Sequence, residues 1–151
     1  MAKPTLYNST THQLIRSRVE SLTPDSQQKW GKMNLPQMMA HLRKAVETGL
    51  HKGPAKFSII SFLLGPYIKK MVMSDTPYKE GLPTAKKMII NDERDFDVEK
   101  AKLLSTLDKF VNGKDEFPSP INHPMFGKLT EEEWGYSQWK HFDHHLRQFS
   151  A

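Results

Sequence analysis

The stretch WKHFDHHLRQF, Trp139–Phe149, places three of the chain's seven histidines within five residues. Its apolar residues recur at helical spacing, so what it does depends on which side chains face a core. Each helical residue advances about 100° around the axis. With Trp139 at zero, Phe149, Phe142, Leu146, Trp139 and Tyr136 span an arc from about 280° through zero to about 60°. His141 falls at about 200° and His145 at about 240°, on a shoulder shared with Trp134 and Gln138. His144, at about 140°, lies with the polar residues and is expected to point outward. His141 and His145 thus form an H-x-x-x-H pair flanking the core-facing arc.

Working outward, this helix opens at Thr130, with Glu133 at the capping-box position and Glu131 and Glu132 suited to the positive end of the helix dipole. Three further helices follow from periodicity. Leu14, Ile15, Val19 and Leu22 mark the first, before Thr23-Pro24. Asn34 caps the second with Gln37 as partner, and Leu35, Met38, Met39, Leu42, Val46 and Leu50 form its stripe. Val98, Ala101, Leu104, Leu107 and Phe110 share a face of the third, which begins near Asp97 and stops at Gly113. Residues 51–96 hold four prolines and the apolar run Phe57–Met73, read as a helix over about 57–72 and then an extended loop through TPYKEGLPT. No segment shows sustained two-residue alternation. The expectation is an all-α fold: one domain, 1–151, built as a four-helix bundle with a long, partly helical crossover between the second and third main helices.

The chain has no cysteine, which excludes disulfides, thiolate metal sites and cysteine nucleophiles. That fits a reducing compartment. The N-terminal MAKPTLYNSTTHQ lacks the apolar stretch of a signal peptide, and Gly65-Pro66 and Lys69-Lys70 interrupt the apolar run. A soluble, cytoplasmic protein without a membrane span is expected. A net charge of +5 invites a nucleic-acid reading, but the basic residues are dispersed and no recognition motif accompanies them. A nucleic-acid partner is therefore not expected.

The same angular arithmetic places His41 at the border of the second helix's apolar arc, beside Ala45 and Met38. Histidines at i and i+4 can aim both rings at one ion, and a third from a facing helix completes a three-nitrogen site with open coordination positions. Such a pair is also met simply packed or solvated. The matching position of His41 adds weight to a shared ion at His41, His141 and His145.

Two blocks, SLTPDSQQKWGKMNLPQMMAHL (Ser21–Leu42) and HPMFGKLTEEEWGYSQWKHFDHHLRQF (His123–Phe149), resemble the DinB-like (DinB/YfiT) superfamily, in its uncharacterised bacterial branch. They cover roughly a third of the chain, and residues 50–120 add little to the likeness. The superfamily pattern is one histidine on the second helix and an H-x-x-x-H pair on the last, matched here by His41 and by His141 and His145. The resemblance implies a divalent metal, nickel or zinc being usual, and frequently a homodimer. It also implies a small-molecule substrate, in some relatives a low-molecular-weight thiol. A metal-dependent hydrolase or thiol-dependent transferase is the leading functional expectation. The alternative is a non-catalytic dimeric binding or structural protein with a vestigial site.

Around this set, Gln138 sits one turn before His141, where it could bond a metal-held water, although packing is the plainer role. Trp30, Trp134 and Trp139 read as core anchors, with Trp134 also sharing the His141 face. His123 lies in a loop before this helix, and His141 is about 16 Å along the axis from the helix start at Thr130, so His123 reads as a pocket or structural residue rather than a ligand. His12 and His51 are expected in solvent. The sequence shows no nucleophile elbow, phosphate loop or H-E-x-x-H base, so any chemistry would rest on the metal.

Overall fold

A computed structural model describes residues 2–50 and 58–151. His51 and Phe57, the start of the apolar run, lie outside the described residues. The helices start where side-chain oxygens can accept orphan backbone N–H groups. Asn8 accepts from Thr11 N to open α1 (Ser9–Ser21), and Asn34 with Gln37 forms a full capping box for α2 (Leu35–Thr48). Ser58 opens α3 (Ile59–Met73), Asp95 opens α4 (Phe96–Asn112), and Thr130 with Glu133 boxes α5 (Glu131–Gln148). Short 3-10 turns lie at Lys86–Met88 and Lys114–Glu116.

The fold is predominantly helical, with one addition that periodicity did not reveal. Strands β1 (Ile121–His123) and β2 (Gly127–Leu129) pair antiparallel, Ile121 opposite Leu129 and His123 opposite Gly127. Three residues per strand are too few to show alternation in a sequence. The hairpin matters because it carries His123 and leads directly into α5.

Helix α4 packs against α1 and α2, and α5 packs against α1, α2 and α3. One core joins Ile15 and Val19 of α1, Met38, Met39, Leu42 and Val46 of α2, Leu103, Leu107 and Phe110 of α4, and Trp134, Phe142 and Leu146 of α5. Two expected stripes are rotated. In α4, Val98 and Ala101 face solvent, and Leu103 rather than Leu104 is fully buried. The reason is Glu99, which turns inward to meet Arg94 at 3.2 Å and Arg43 of α2 at 3.5 Å. A buried carboxylate must keep cationic partners, and this one sets the rotation of the helix. In α1, Leu14 is exposed and His12 is buried, contrary to expectation; His12 Nε2 bonds the Leu107 carbonyl at 2.9 Å. A ring able to satisfy its own polar atom can occupy the buried face.

Helix α5 is covered on nearly every side. Lys140 is buried and donates to the carbonyls of Met71 and Val72 at 3.1 Å and of Ser74 at 2.7 Å. These include the last carbonyls of α3, which no residue within the helix can satisfy. Tyr136 adds its hydroxyl to Ser74 O at 2.6 Å, and Lys3 reaches Met73 O. The apolar run is thereby tied to α5 at its C-terminal end, while its outer face stays open to solvent. No helix among the described residues is long and apolar enough to cross a membrane.

The N-terminal segment crosses α5 at Gly135: Leu6 N donates to the Gly135 carbonyl at 3.2 Å, and Leu6 is fully buried. A Cβ at Gly135 would overlap Thr5 Oγ1 and press on the Tyr7 ring. Gly135→Ala should therefore lower the unfolding free energy by about 1–3 kcal/mol, although alanine is the better helix former by about 1 kcal/mol. Urea denaturation checks this. A gain in stability would show that residues 5–7 do not seat on α5 in solution.

Candidate metal centre

Met38, Met39 and Leu42 bury one side of α2, and this leaves His41 at the edge of the interface with α5. Phe142 and Leu146 seat α5 in the core, so His141 and His145, one turn apart, face the same edge. The three histidines meet there. Each offers a ring nitrogen, and the three nitrogens all lie within 4.8 Å of one another. The ring centroids form a near-equilateral triangle: His41–His141 4.9 Å, His41–His145 4.9 Å and His141–His145 4.8 Å. Nitrogens sharing a tetrahedral zinc at about 2.1 Å would stand about 3.4 Å apart, so small ring rotations bring this set to a common ion.

Two of the rings are held by their remote nitrogens. His41 Nδ1 meets the Met88 carbonyl at 2.8 Å, and His145 Nδ1 meets Gln148 Oε1 at 2.8 Å. Both partners only accept, so both histidines carry their hydrogen on Nδ1 and present Nε2 as a bare lone pair. His41 Nε2 and His141 Nε2 face each other at 3.0 Å. His41 Nε2 is the acceptor, so His141 donates to it. His141 is also the one member of the set that is not fully buried.

Electrostatics keep the rings neutral. Burial lowers all three pKa values, His145 to about 3 and His141 well below its ordinary value, and each is lowered further by another ring of the set or by Lys44. Neutral imidazole is the form that binds metal. The donor set therefore fits a divalent ion of intermediate softness.

The other site candidates separate. Gln138 is buried on the same face, and its Oε1 has no hydrogen-bond partner among the described residues. Trp134 is fully buried as a core residue, against Phe110 and Phe117 at ring distances of 6.5 and 6.2 Å; its Nε1 is also unpartnered. His123 is engaged locally: its Nδ1 accepts from Met125 N and Phe126 N at 3.2 Å, and its ring stacks on Phe126 at 3.9 Å. Burial lowers its pKa to about 4, and it is close enough for any charge it carried to bear on His141. His144 corrects the helical-wheel expectation. It is only 8% exposed, with its ring between Trp30 at 5.8 Å and Tyr78 at 5.7 Å. The loop after α3 and the segment after α1 cover a face that the wheel assigns to solvent.

A family model described as Protein of unknown function (DUF1569) matches residues 7–151. The chain belongs to this family. No curated protein and no solved structure matches it. The match spans His41, His141 and His145 of this DUF1569 chain, together with two supporting groups that sequence reasoning missed. The Met88 carbonyl leaves no mark in a sequence, because backbone carries no residue code. Gln148 had a signal: it follows His145 by three residues, one turn along the helix, where side chains meet.

The neutral rings give stability a direction with pH. Unfolded histidine titrates near 6.5, so below that pH the unfolded chain binds protons that the folded chain refuses. This contribution is complete above about pH 6.5 and is lost as pH falls toward the depressed values, about 3 for His145 and about 4 for His123. For chelator-treated protein, the unfolding free energy should fall between pH 7 and pH 4.5. The fall should be shallower in a His141→Gln/His145→Gln variant. Identical pH profiles for the two proteins would contradict the buried neutral rings.

Proposed function

We propose that this DUF1569 chain is a divalent-metal-binding protein of the DinB-like kind, acting as a metal-dependent hydrolase or thiol-dependent transferase in the cytoplasm. The observation that carries the reading is the convergence of three neutral imidazoles from two helices, two of them with Nε2 freed by a fixed hydrogen bond at Nδ1. The DinB-like assignment is supported by one histidine on the second helix, a pair on the last, and α1, α2, α4 and α5 sharing one core. Nickel or zinc suits three imidazoles.

When bound, such an ion lowers the pKa of a coordinated water or thiol and polarises a carbonyl. The chain's own part is to hold three nitrogens and leave the remaining positions open. Among the described residues the group contains no carboxylate, so these three ligands leave the ion's double positive charge uncompensated. An anionic donor, such as the thiolate of a small thiol substrate, is favoured at the open positions. Burial of His41 and His145 limits solvent on the protein side, and the partly exposed His141 marks the side from which a small molecule would approach.

Protein purified without a histidine tag should contain close to one nickel or zinc per chain by elemental analysis. A His141→Ala/His145→Ala variant should lose it while keeping its helical circular dichroism. Unchanged metal content in that variant would overturn the assignment.

A dimeric state is favoured by α3, whichever way the activity falls. Ile59, Ile60, Phe62, Leu63, Leu64, Tyr67 and Met71 are 36–81% exposed on this one helix. A contiguous apolar face of this kind on one helix marks an interaction surface. Ile59–Tyr67 carries no charge; Lys69 and Lys70 stand only at the C-terminal end of the face, and Lys69 is paired with Glu133 at 2.9 Å, which leaves little to recognise anionic lipid. A second copy of the chain is therefore the proposed occupant. Light scattering at micromolar concentration should give twice the chain mass, and Phe62→Glu/Leu63→Glu should give the monomer. A wild-type monomer that instead co-sediments with anionic vesicles would replace the dimer with a membrane-surface role.

A further inference from the structure

Gln148, the last residue of α5, is almost wholly buried, and both ends of its amide are committed. Oε1 accepts from His145 Nδ1 at 2.8 Å, and Nε2 donates to the Trp30 carbonyl at 2.5 Å. Its own backbone carbonyl accepts from Lys29 N at 2.8 Å. The amide cannot be turned over, because its oxygen would then face a carbonyl oxygen. The loop carrying that carbonyl is itself fixed: Gln28 Nε2 donates to the carbonyls of Trp30, Gly31 and Met33 at 2.9–3.1 Å. Gly31 stands at φ +91°, and a Cβ there would overlap Gln148 Nε2. Glycine at this position meets two needs at once, the left-handed backbone and the close approach of the amide.

We propose that Gln148 is a positioning residue for the metal centre, and that the 28–31 loop sets His145 through it. The proposal rests on the three-histidine reading of the site. A neutral imidazole can place its hydrogen on either nitrogen, and only the Nδ1–H form leaves Nε2 free to face His41 and His141. Gln148 selects that form and fixes the ring's rotation, as the Met88 carbonyl does for His41. Among the described residues His141 bonds only to His41, which makes it the adjustable member of the set. Preorganisation therefore resides in His41 and His145, and the His145 half depends on a loop that touches no ligand directly.

Two measurements on the full-length protein test this. In chelator-treated protein, long-range proton–nitrogen NMR should show His145 with its hydrogen on Nδ1. Gln148→Leu, which removes the acceptor, should yield a mixture of tautomers. In competition with a chromophoric chelator, Gln148→Leu should weaken zinc binding by about 10–100-fold, and Gly31→Ala should weaken it in the same direction. Gln28 still covers the Trp30 carbonyl in Gln148→Leu, so the variant leaves that group satisfied.

In a His145→Ala background, Gln148→Leu should cause no further loss. A pure Nδ1–H tautomer in Gln148→Leu would overturn the proposal. Zinc affinity within twofold of wild type in that variant would do so too, provided His145→Ala loses the metal. If His145→Ala binds zinc normally, the metal reading fails by itself, and the tautomer measurement still decides whether Gln148 sets the ring.

Discussion

The enclosure of α5 is the constraint on which the rest of the structure depends. A helix with core on one side and water on the other could display His141 and His145, but would not hold their pKa values so far down. Here the core holds one side through Phe142 and Leu146, and α3 covers another through Lys140 and Tyr136. The segment after α1 covers the C-terminal end through Gln148. Each cover brings polar atoms that need partners, and α5 supplies them from residues placed where a simple wheel puts solvent. Enclosure lowers the histidine pKa values, and low pKa values leave lone pairs ready for a cation.

The hydrogen bonds divide the histidines into two kinds. His41 and His145 are each locked from behind by an oxygen, one from backbone and one from side chain. His141 is held only by His41. Two fixed donors define a position for an ion, and the third can follow it with little rearrangement. This division of labour suits a site in which positions must remain available to a substrate.

The buried polar groups are satisfied by contacts between distant parts of the chain. Glu99 is met by Arg43 and Arg94, and that meeting rotates α4 away from its most obvious apolar stripe. His12 is satisfied by a helix carbonyl. By contrast, Gln138 Oε1 and Trp134 Nε1, on the helix that carries the histidine pair, have no hydrogen-bond partner among the described residues.

The sequence by itself determined the helices, because capping oxygens at Asn34 and Thr130 and apolar repeats of period 3.6 act over a few residues. It also determined which histidines could converge, since i,i+4 spacing fixes a shared face wherever a helix forms. It did not determine the rotation of α4, the burial of His12 and His144, or the β-hairpin. Those follow from contacts between residues far apart in the chain, Glu99 with Arg43 or Trp30 with His144, and no local periodicity encodes them. The locking oxygens belong to the same class: Met88 contributes backbone, and Gln148 acts only once the 28–31 loop has fixed its amide. Tertiary structure decided which nitrogen of each ring is free, because a tautomer is chosen by the partner that packing delivers.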